Sequence, residues 1–305
     1  MKKLMSVLMM ATLTVSLLAG CAPKAEPAAP AEPAAPAAKT IGLALSTLNN
    51  PFFVTLKEGA EAKAQELGAE LIVMDAQDDS AKQASQIEDL IQKKVGVILI
   101  NPTDSDAAKT SVEKAIAAGI PVISVDRGVN GAEVLSHIAS DNVAGGKMAG
   151  EALIEMVGEG AKVVELEGIP GASATNDRGQ GFNEAITGKL EVVSKQPADF
   201  NRDKGFTVMQ NILQANKDIK GIFAHNDEMA LGAVKALEAA GITGVTVIGF
   251  DAVDDAVAAV KAGTMKATVA QKPDLIGSLA VETAVKHLDG ETVEKSVPVP
   301  LELVK

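Results

Sequence analysis

The chain has 305 residues, 47% apolar and only 2% aromatic, with seven Phe and no Trp or Tyr. That length allows two domains or one large one, and apolar content made mostly of Ala, Val, Ile and Leu suits helices packed on parallel strands. A net charge of −12 argues against nucleic acid or an anionic membrane surface as partner, and a single Cys excludes an internal disulfide, a Cys-based zinc site and an iron–sulfur cluster.

The first twenty residues read as a leader rather than as fold. Lys2 and Lys3 form a positive start, and Leu4 to Leu18 an apolar run too short and wrongly flanked to span a bilayer. The run ends in Leu18-Ala19-Gly20-Cys21, which resembles the lipobox of bacterial lipoproteins. There cleavage leaves the Cys as first residue and lipid is attached to it, so residues 1–20 are expected to be removed and Cys21 lipidated. The alternative is an ordinary secretory signal with a chance Cys. Removal leaves 26 basic against 40 acidic residues, a net charge of −14. Residues 21–39 then read as the lipidated Cys and a Pro/Ala-rich linker, with Glu-Pro-Ala-Ala-Pro at 26–30 and again at 32–36. Pro favours extended polyproline II, so this is a semi-rigid spacer that holds a domain off the lipid surface.

From Thr40 onward short apolar runs alternate with segments of 3.6-residue period. Ile41 to Leu45 reads as a strand, followed by a helix with Asn50 as N-cap and Pro51 as its first residue. Further strands are expected at Leu71–Met74, Val97–Ile100, Val122–Val125 and Val134–Ala139, with helices around Ile87–Ile91 and Val112–Ile116. The pattern then restarts with a helix stripe at Ala149, Ala152, Leu153 and Met156. Strands follow at Val163–Leu166, Val192-Val193, Ile222–Ala224, Val245–Phe250 and Ala267–Ala270. Helices are expected around Glu184–Ile186, Phe206–Leu213 and Ala230–Leu237, and a last long one from Ile276. About ten βα units are too many for one small sheet, and the expected fold is α/β with two doubly wound lobes.

Ligands of open α/β sheets bind beyond the carboxyl ends of the strands. The polar residues there are Asn101 after Val97–Ile100, Asp126-Arg127 after Val122–Val125, and Arg178 in a long loop after Val163–Leu166. Asn226, Asp251 and Gln271 follow the next three strands, and Phe52 and Phe53 lie just past the first. Each alone has a plainer explanation. Asn226 and Asp251 can cap helices, Asn101-Pro102-Thr103-Asp104 makes a good turn, and the two Arg can be surface charges. Together they offer planar groups that engage vicinal hydroxyls in pairs, beside Phe faces suited to the C–H face of a sugar ring.

The segment Ser46-Thr47-Leu48-Asn49-Asn50-Pro51-Phe52-Phe53 closely resembles the opening of the bacterial ribose-binding proteins that serve ABC transporters. Similar matches are Ile100–Asp106, Ser136–Asn142, Gln196–Phe200 and Asn226–Ala230, so the resemblance covers nearly all of 40–305. It implies the type I periplasmic binding protein fold, in which two Rossmann-like lobes joined by a three-segment hinge close on a sugar. The lobes would be 40–140 plus 272–300 and 141–271 plus 301–305, with crossings near Ser140-Asp141, Gln271-Lys272 and Pro300-Leu301. By the same resemblance the ligand contacts map to Asn50, Phe52, Phe53, Asn101, Asp126 and Arg127 on the first lobe. Arg178, Phe200, Asn226 and Asp251 would come from the second, with Gln271 at a crossover. The resemblance further implies a monomer without cofactor or metal, lipid-anchored outside the cytoplasmic membrane, whose closed form a permease, or a chemoreceptor, recognises. Two departures stand out: His225, where related proteins often carry Gln, and Asn176-Asp177, where an Arg-rich version is expected.

Other functions fit less well. A sugar-responsive repressor of the same two-lobe fold needs a helix-turn-helix where this chain has a leader and a spacer. For an enzyme, His137, His225 and His287 are scattered, no H-E-x-x-H occurs, and Gly179-Gln180-Gly181 is only a fragment of G-x-G-x-x-G. Binding of another monosaccharide or of a furanosyl signal molecule stays open.

Overall fold

The computed structural model describes residues 39–305; the leader, Cys21 and all of the spacer but Lys39 lie outside the described residues. Twelve strands and nine helices alternate in it. The first sheet uses β1 (Thr40–Leu45), β2 (Glu70–Asp75), β3 (Val97–Ile100), β4 (Val122–Val125), β5 (Ser136–Ser140) and β11 (Ser296–Val299), in the order β11-β5-β4-β3-β1-β2. The second uses β6 (Lys162–Glu167), β7 (Glu191–Pro197), β8 (Gly221–Ala224), β9 (Thr246–Asp251), β10 (Ala267–Ala270) and β12 (Glu302–Val304), in the order β12-β10-β9-β8-β6-β7. Every strand pair is parallel except β10 with β12.

The helices are α1 (Pro51–Glu66), α2 (Ser80–Gln92), α3 (Ala108–Ala117), α4 (Asn142–Val157), α5 (Ser173–Ile186), α6 (Arg202–Ala215), α7 (Asp227–Ala239), α8 (Asp254–Ala262) and α9 (Pro273–Leu288). They cover both faces of each sheet, and the strands divide their residues accordingly. Ile41, Leu43 and Leu45 enter one core cluster with residues of α1 and α9, while Ala44 faces another with residues of α2 and α3. In the second sheet Ile222 and Ala224 point one way and Phe223 the other. This two-sided burial is why the strands read as continuous apolar runs instead of alternating ones.

Three helix pairs lie unusually close, and each contact carries glycine from both members. A Cβ on Gly59 of α1 would strike the backbone of Asp274, and one on Gly277 of α9 would strike that of Leu56. Gly146 of α4 faces the carbonyl of Arg178, and Gly181 of α5 faces that of Val143. Gly205 of α6 and Gly232 of α7 repeat the arrangement against Met229 and Arg202.

Several expected bounds shift. The strand expected over Val134–Ala139 runs from Ser136 to Ser140, and that over Val245–Phe250 runs from Thr246 to Asp251, so Asp251 belongs to the strand. Arg178 does not lie in a loop: it is in α5, which begins at Ser173. A segment rich in Gly and short polar residues reads as a loop by propensity. Here Gly179 leaves room for the His225 ring and Gly181 admits the α4 backbone, so packing overrides propensity. Strands β11 and β12 lie outside the expected elements, and α8 is foreshadowed only by Asp251 as a possible cap, although Val253 holds the cap position. Only Ala256 of α8 is buried, leaving little stripe to read, and β11 holds Pro298 at a sheet edge, where a missing amide donor is tolerated.

Candidate functional site

The carboxyl ends of strands from both sheets converge on one small cavity. Its lining is Asn50, Phe52, Phe53, Asp126, Arg127, Ala174, Arg178, Phe200, Asn226, Asp251 and Gln271. Ten of the eleven expected ligand contacts therefore meet at one place. Asn101 is the exception, and Ala174 is the one residue not anticipated.

Each group is aimed by its local structure. Asn50 caps α1, its Oδ1 accepting from the Phe52 amide at 3.0 Å, and this sets the entry of the two rings into the cavity. Phe52 and Phe53 then pack edge to face, 5.2 Å between centroids. Asn226 caps α7, accepting from the Met229 amide at 3.0 Å, while its Nδ2 donates to the Phe200 carbonyl at 3.3 Å. The cap reading and the site reading of Asn226 thus hold together, because one amide has both an acceptor and a donor end.

Asn101 sits one layer behind the cavity and is fully buried. Its Oδ1 accepts from Ser46 Oγ at 2.7 Å, and its Nδ2 lies 3.1 Å from both the Val125 carbonyl and Asp126 Oδ2. Asn101 orients Asp126 and does not face the cavity itself. Gln83 of α2 braces the same loop, donating to the Asn101 carbonyl at 2.9 Å and accepting from the Thr103 amide at 3.0 Å. Gln83 was missed, although an amide at the buried i position before Ile87 and Leu90 is a sequence signal that marks it.

Two arginines and two aspartates are buried here side by side, each below 7% exposed. Arg127 Nη1 donates to the Pro102 carbonyl at 3.2 Å, and its guanidinium lies 5.2 Å from the Phe53 ring and 5.1 Å from the Phe200 ring. Arg178 donates from Nε to Asn142 Oδ1 at 2.8 Å and from Nη1 to the His225 carbonyl at 2.6 Å, with its guanidinium 3.8 Å from the centroid of Phe250. Arg127 Nε lies 3.8 Å from Asp126 Oδ2, and Arg178 Nη1 lies 3.6 Å from Asp251 Oδ1. Neither pair makes a direct hydrogen bond. Asp126 Oδ1, Arg127 Nε and Gln271 Oε1 are buried without a hydrogen-bond partner among the described residues. Five other such atoms, Thr103 Oγ1 and His225 Nδ1 among them, belong to residues outside the lining, but these three share one cavity and so offer hydrogen-bonding capacity to a solute.

Three of the lining residues hold left-handed backbone without being glycine: Asp126 at φ 60°, Phe200 at 56° and Asp251 at 118°. Each such conformation costs roughly 1–3 kcal/mol and survives only where the surroundings impose it. Burial pushes the Asp251 carboxyl up to about 7, although Arg178 and the Gln271 amide, which donates to it at 2.9 Å, pull the other way.

His225 is fully buried behind Arg178, with Nε2 3.0 Å from Glu165 Oε1. Burial pushes the imidazole below its ordinary value against the pull of Glu165. Burial would raise Glu165, but hydrogen bonding and attraction from His225, helped by Lys195, bring its carboxyl below the usual range. The pair is joined by one buried contact, His225 Nε2 to Glu165 Oε1. Its link to the cavity is the His225 carbonyl, not the ring.

A two-lobed α/β body with a polar cavity between opposed strand ends is the architecture of an extracytoplasmic solute-binding protein. Residues 41–292 match the family model described as periplasmic binding protein domain, and the chain belongs to that family. The ribose import binding protein of Bacillus subtilis is 52% identical over 306 residues, covering 99% of this chain and 99% of that protein. That of Escherichia coli is 53% identical over 266 residues, covering 87% of this chain and 90% of its own. Among solved structures, a Caulobacter myo-inositol binding protein bound to myo-inositol superposes with a TM-score of 0.84 at 35% identity, covering 88% of this chain and 93% of that one. Family members of this kind are transport proteins that bind solutes rather than enzymes.

Replacing Asn101 by Ala leaves the Ser46 hydroxyl, the Val125 carbonyl and one Asp126 oxygen without their buried partner. Asn101→Ala is expected to lower unfolding free energy by about 2–4 kcal/mol. Denaturant titration of the solute-free protein checks this, and an unchanged midpoint contradicts the placement of Asn101 as the support of Asp126.

Proposed function

We propose that this protein binds D-ribose between its two lobes and delivers it to the permease of an ABC transporter. The lobes that move are 40–140 plus 272–300 and 141–271 plus 301–305. The observation that carries the reading is the cavity itself: balanced Arg and Asp side chains with unpaired edges, three amides, and three Phe rings around one small space. Two cations opposed by two carboxyl groups favour a neutral solute dense in hydroxyls over an anion or a cation. Asp126 and Asp251 accept from hydroxyl groups, Arg127 and Arg178 donate to hydroxyl oxygens, and the Phe rings cover C–H faces. Among neutral polyols, ribose is favoured because relatives at 52–54% identity are ribose import binding proteins, whereas a D-apiose import binding protein stands at 39%. The contacts divide between lobes, with Asp126 and Arg127 on one and Arg178 and Asp251 on the other. Only the closed state makes both sets, so the sugar favours closure and closure is what the permease reads.

We also propose that Cys21 is the lipid-bearing first residue of the mature chain and that the protein stands outside the cytoplasmic membrane on its Pro-rich spacer. Lys2-Lys3, the apolar run to Leu18, and a lone Cys at the end of Leu-Ala-Gly-Cys support this.

Titration calorimetry against pentoses and hexoses tests the ligand. Ribose is expected to bind most tightly and 2-deoxyribose more weakly by about 1–3 kcal/mol, because each missing hydroxyl leaves buried site groups unpaired. Equal affinity for the two, or a tighter hexose, refutes the ribose reading.

The pH dependence follows from Asp251. A hydroxyl donating to its carboxylate favours the ionised form, so sugar lowers a value that burial has pushed up to about 7. Ribose therefore binds the deprotonated site better, and its affinity is expected to rise with pH from about 5 to 7 and level off above. Proton release on binding, read by calorimetry in buffers of different ionisation enthalpy, measures the same quantity. Affinity that falls over this range contradicts the assignment.

Cys21→Ser is expected to release the protein from the membrane fraction or to block its processing, since no other part of the spacer carries membrane-binding chemistry. Unchanged membrane association removes the lipid anchor.

A further inference from the structure

Two loops meet across the lobes beside the cavity without lining it. One follows β3 and carries Asp104-Ser105-Asp106; the other leads into α5 and carries Gly171-Ala172-Ser173. The Ser105 amide donates to the Gly171 carbonyl at 3.0 Å, and the Ser173 amide donates to Ser105 Oγ at 3.0 Å. The Gly128 amide, just past β4, donates to Ser173 Oγ at 2.9 Å. Four residues thus form a chain of three hydrogen bonds that runs from lobe to lobe and back. None of the four contributes to the cavity wall.

The chain is seated from both sides. The Ser105 carbonyl accepts from the Asn130 amide at 2.8 Å, and Asp104 Oδ1 accepts from the amides of Asp106 and Ala107 at 2.8 Å each, which fixes the first loop on its own lobe. Ser105 itself is fully buried. Gly171 has φ +89°, and a Cβ there would come within 2.5 Å of Asp104 Oδ2, so glycine is what lets the second loop reach the first.

We propose that Ser105, Gly128, Gly171 and Ser173 form a latch that stabilises the closed state through contacts no solute makes. The hydroxyls of Ser105 and Ser173 are its specific parts, since each supplies the acceptor for an amide of the opposite lobe. Separation of the lobes breaks all three bonds at once. The apparent dissociation constant of a solute equals its intrinsic value divided by the fraction of protein competent to hold it. A weaker latch lowers that fraction for every solute alike. The latch therefore sets how tightly sugars are held, and the cavity sets which sugar.

The test uses the full chain in two arms, the first resting on the ribose reading and the second independent of it. In the first, Ser105→Ala and Ser173→Ala are titrated with ribose and with 2-deoxyribose. Each variant is expected to weaken binding about two- to tenfold, by the same factor for both sugars, with the melting temperature of the sugar-free protein unchanged. Unaltered affinity, or factors that differ between the sugars, overturns the latch. In the second arm Gly128→Cys and Ser173→Cys are combined and oxidised without sugar, because a Cβ at position 128 lies 3.9 Å from Ser173 Oγ. Peptide mapping is expected to find a 128–173 disulfide, formed more slowly when Ser105→Ala is added. No bridge, or a rate indifferent to Ser105→Ala, overturns the latch. A wild type that binds no ribose refutes the ribose reading alone and leaves the second arm to decide.

Discussion

Two guanidinium groups are held in place by partners that occupy only one edge of each. Arg127 spends one nitrogen on the Pro102 carbonyl and lies between two Phe rings, one from each lobe. Arg178 spends two on Asn142 and the His225 carbonyl and rests on Phe250. Burying a charge costs several kcal/mol unless it is paired and hydrogen-bonded, and these charges stop just short of pairing. Their carboxylate neighbours stand 3.6–3.8 Å away, close enough to balance charge and too far to consume the donors. The surrounding elements serve this arrangement: caps aim Asn50 and Asn226, Asn101 holds Asp126, Gln271 holds Asp251, and the strand ends bring all of it to one point. Leaving the hydrogen bonds incomplete is what allows a neutral polyol to complete them.

The sequence carried the architecture further than the site. Continuous apolar runs separated by amphipathic stripes identify a two-sided parallel sheet, because both faces of β1, β3 and β8 are buried. The strand-end rule then picked out Asp126, Arg127, Asn226, Asp251 and Gln271 without any knowledge of the cavity. It misplaced Arg178, because Gly179, Gly181 and their polar neighbours look like a loop unless one knows that His225 and the α4 backbone lie against them. It could not separate Asn101 from the lining residues, since strand-end position does not distinguish a contact from the support behind it. Nor does any local pattern announce that Asp126, Phe200 and Asp251 hold left-handed backbone. That conformation is imposed by the tertiary frame, and propensity would have argued against it.

His225 shows how a departure from a familiar pattern can be absorbed. A histidine beside the cap of α7 suggests a titrating group at the site, yet its ring is turned away to the Glu165 carboxylate, which Lys195 and Asn183 also contact. The backbone carbonyl of residue 225 is the atom that touches the binding machinery, through Arg178. A side chain of different chemistry at this position, provided it fills the space and satisfies Glu165, leaves that carbonyl where it is.

The reciprocal glycines of α1 with α9, α4 with α5, and α6 with α7 bring helix backbones into direct contact, with no side chain between them to re-pack. Interiors that close have low compressibility, so each helix pair moves as one piece and carries its cavity residues with it: Phe52 and Phe53 on α1, Arg178 on α5. In the closure proposed above, very few new degrees of freedom are ordered, and little of the binding free energy is spent on conformational entropy. The same stiffness constrains how such a protein changes its preference during evolution. A helix that cannot slide or tilt offers no graded adjustment of the cavity, and a new solute has to be accommodated by exchanging side chains at fixed backbone positions, one discrete step at a time.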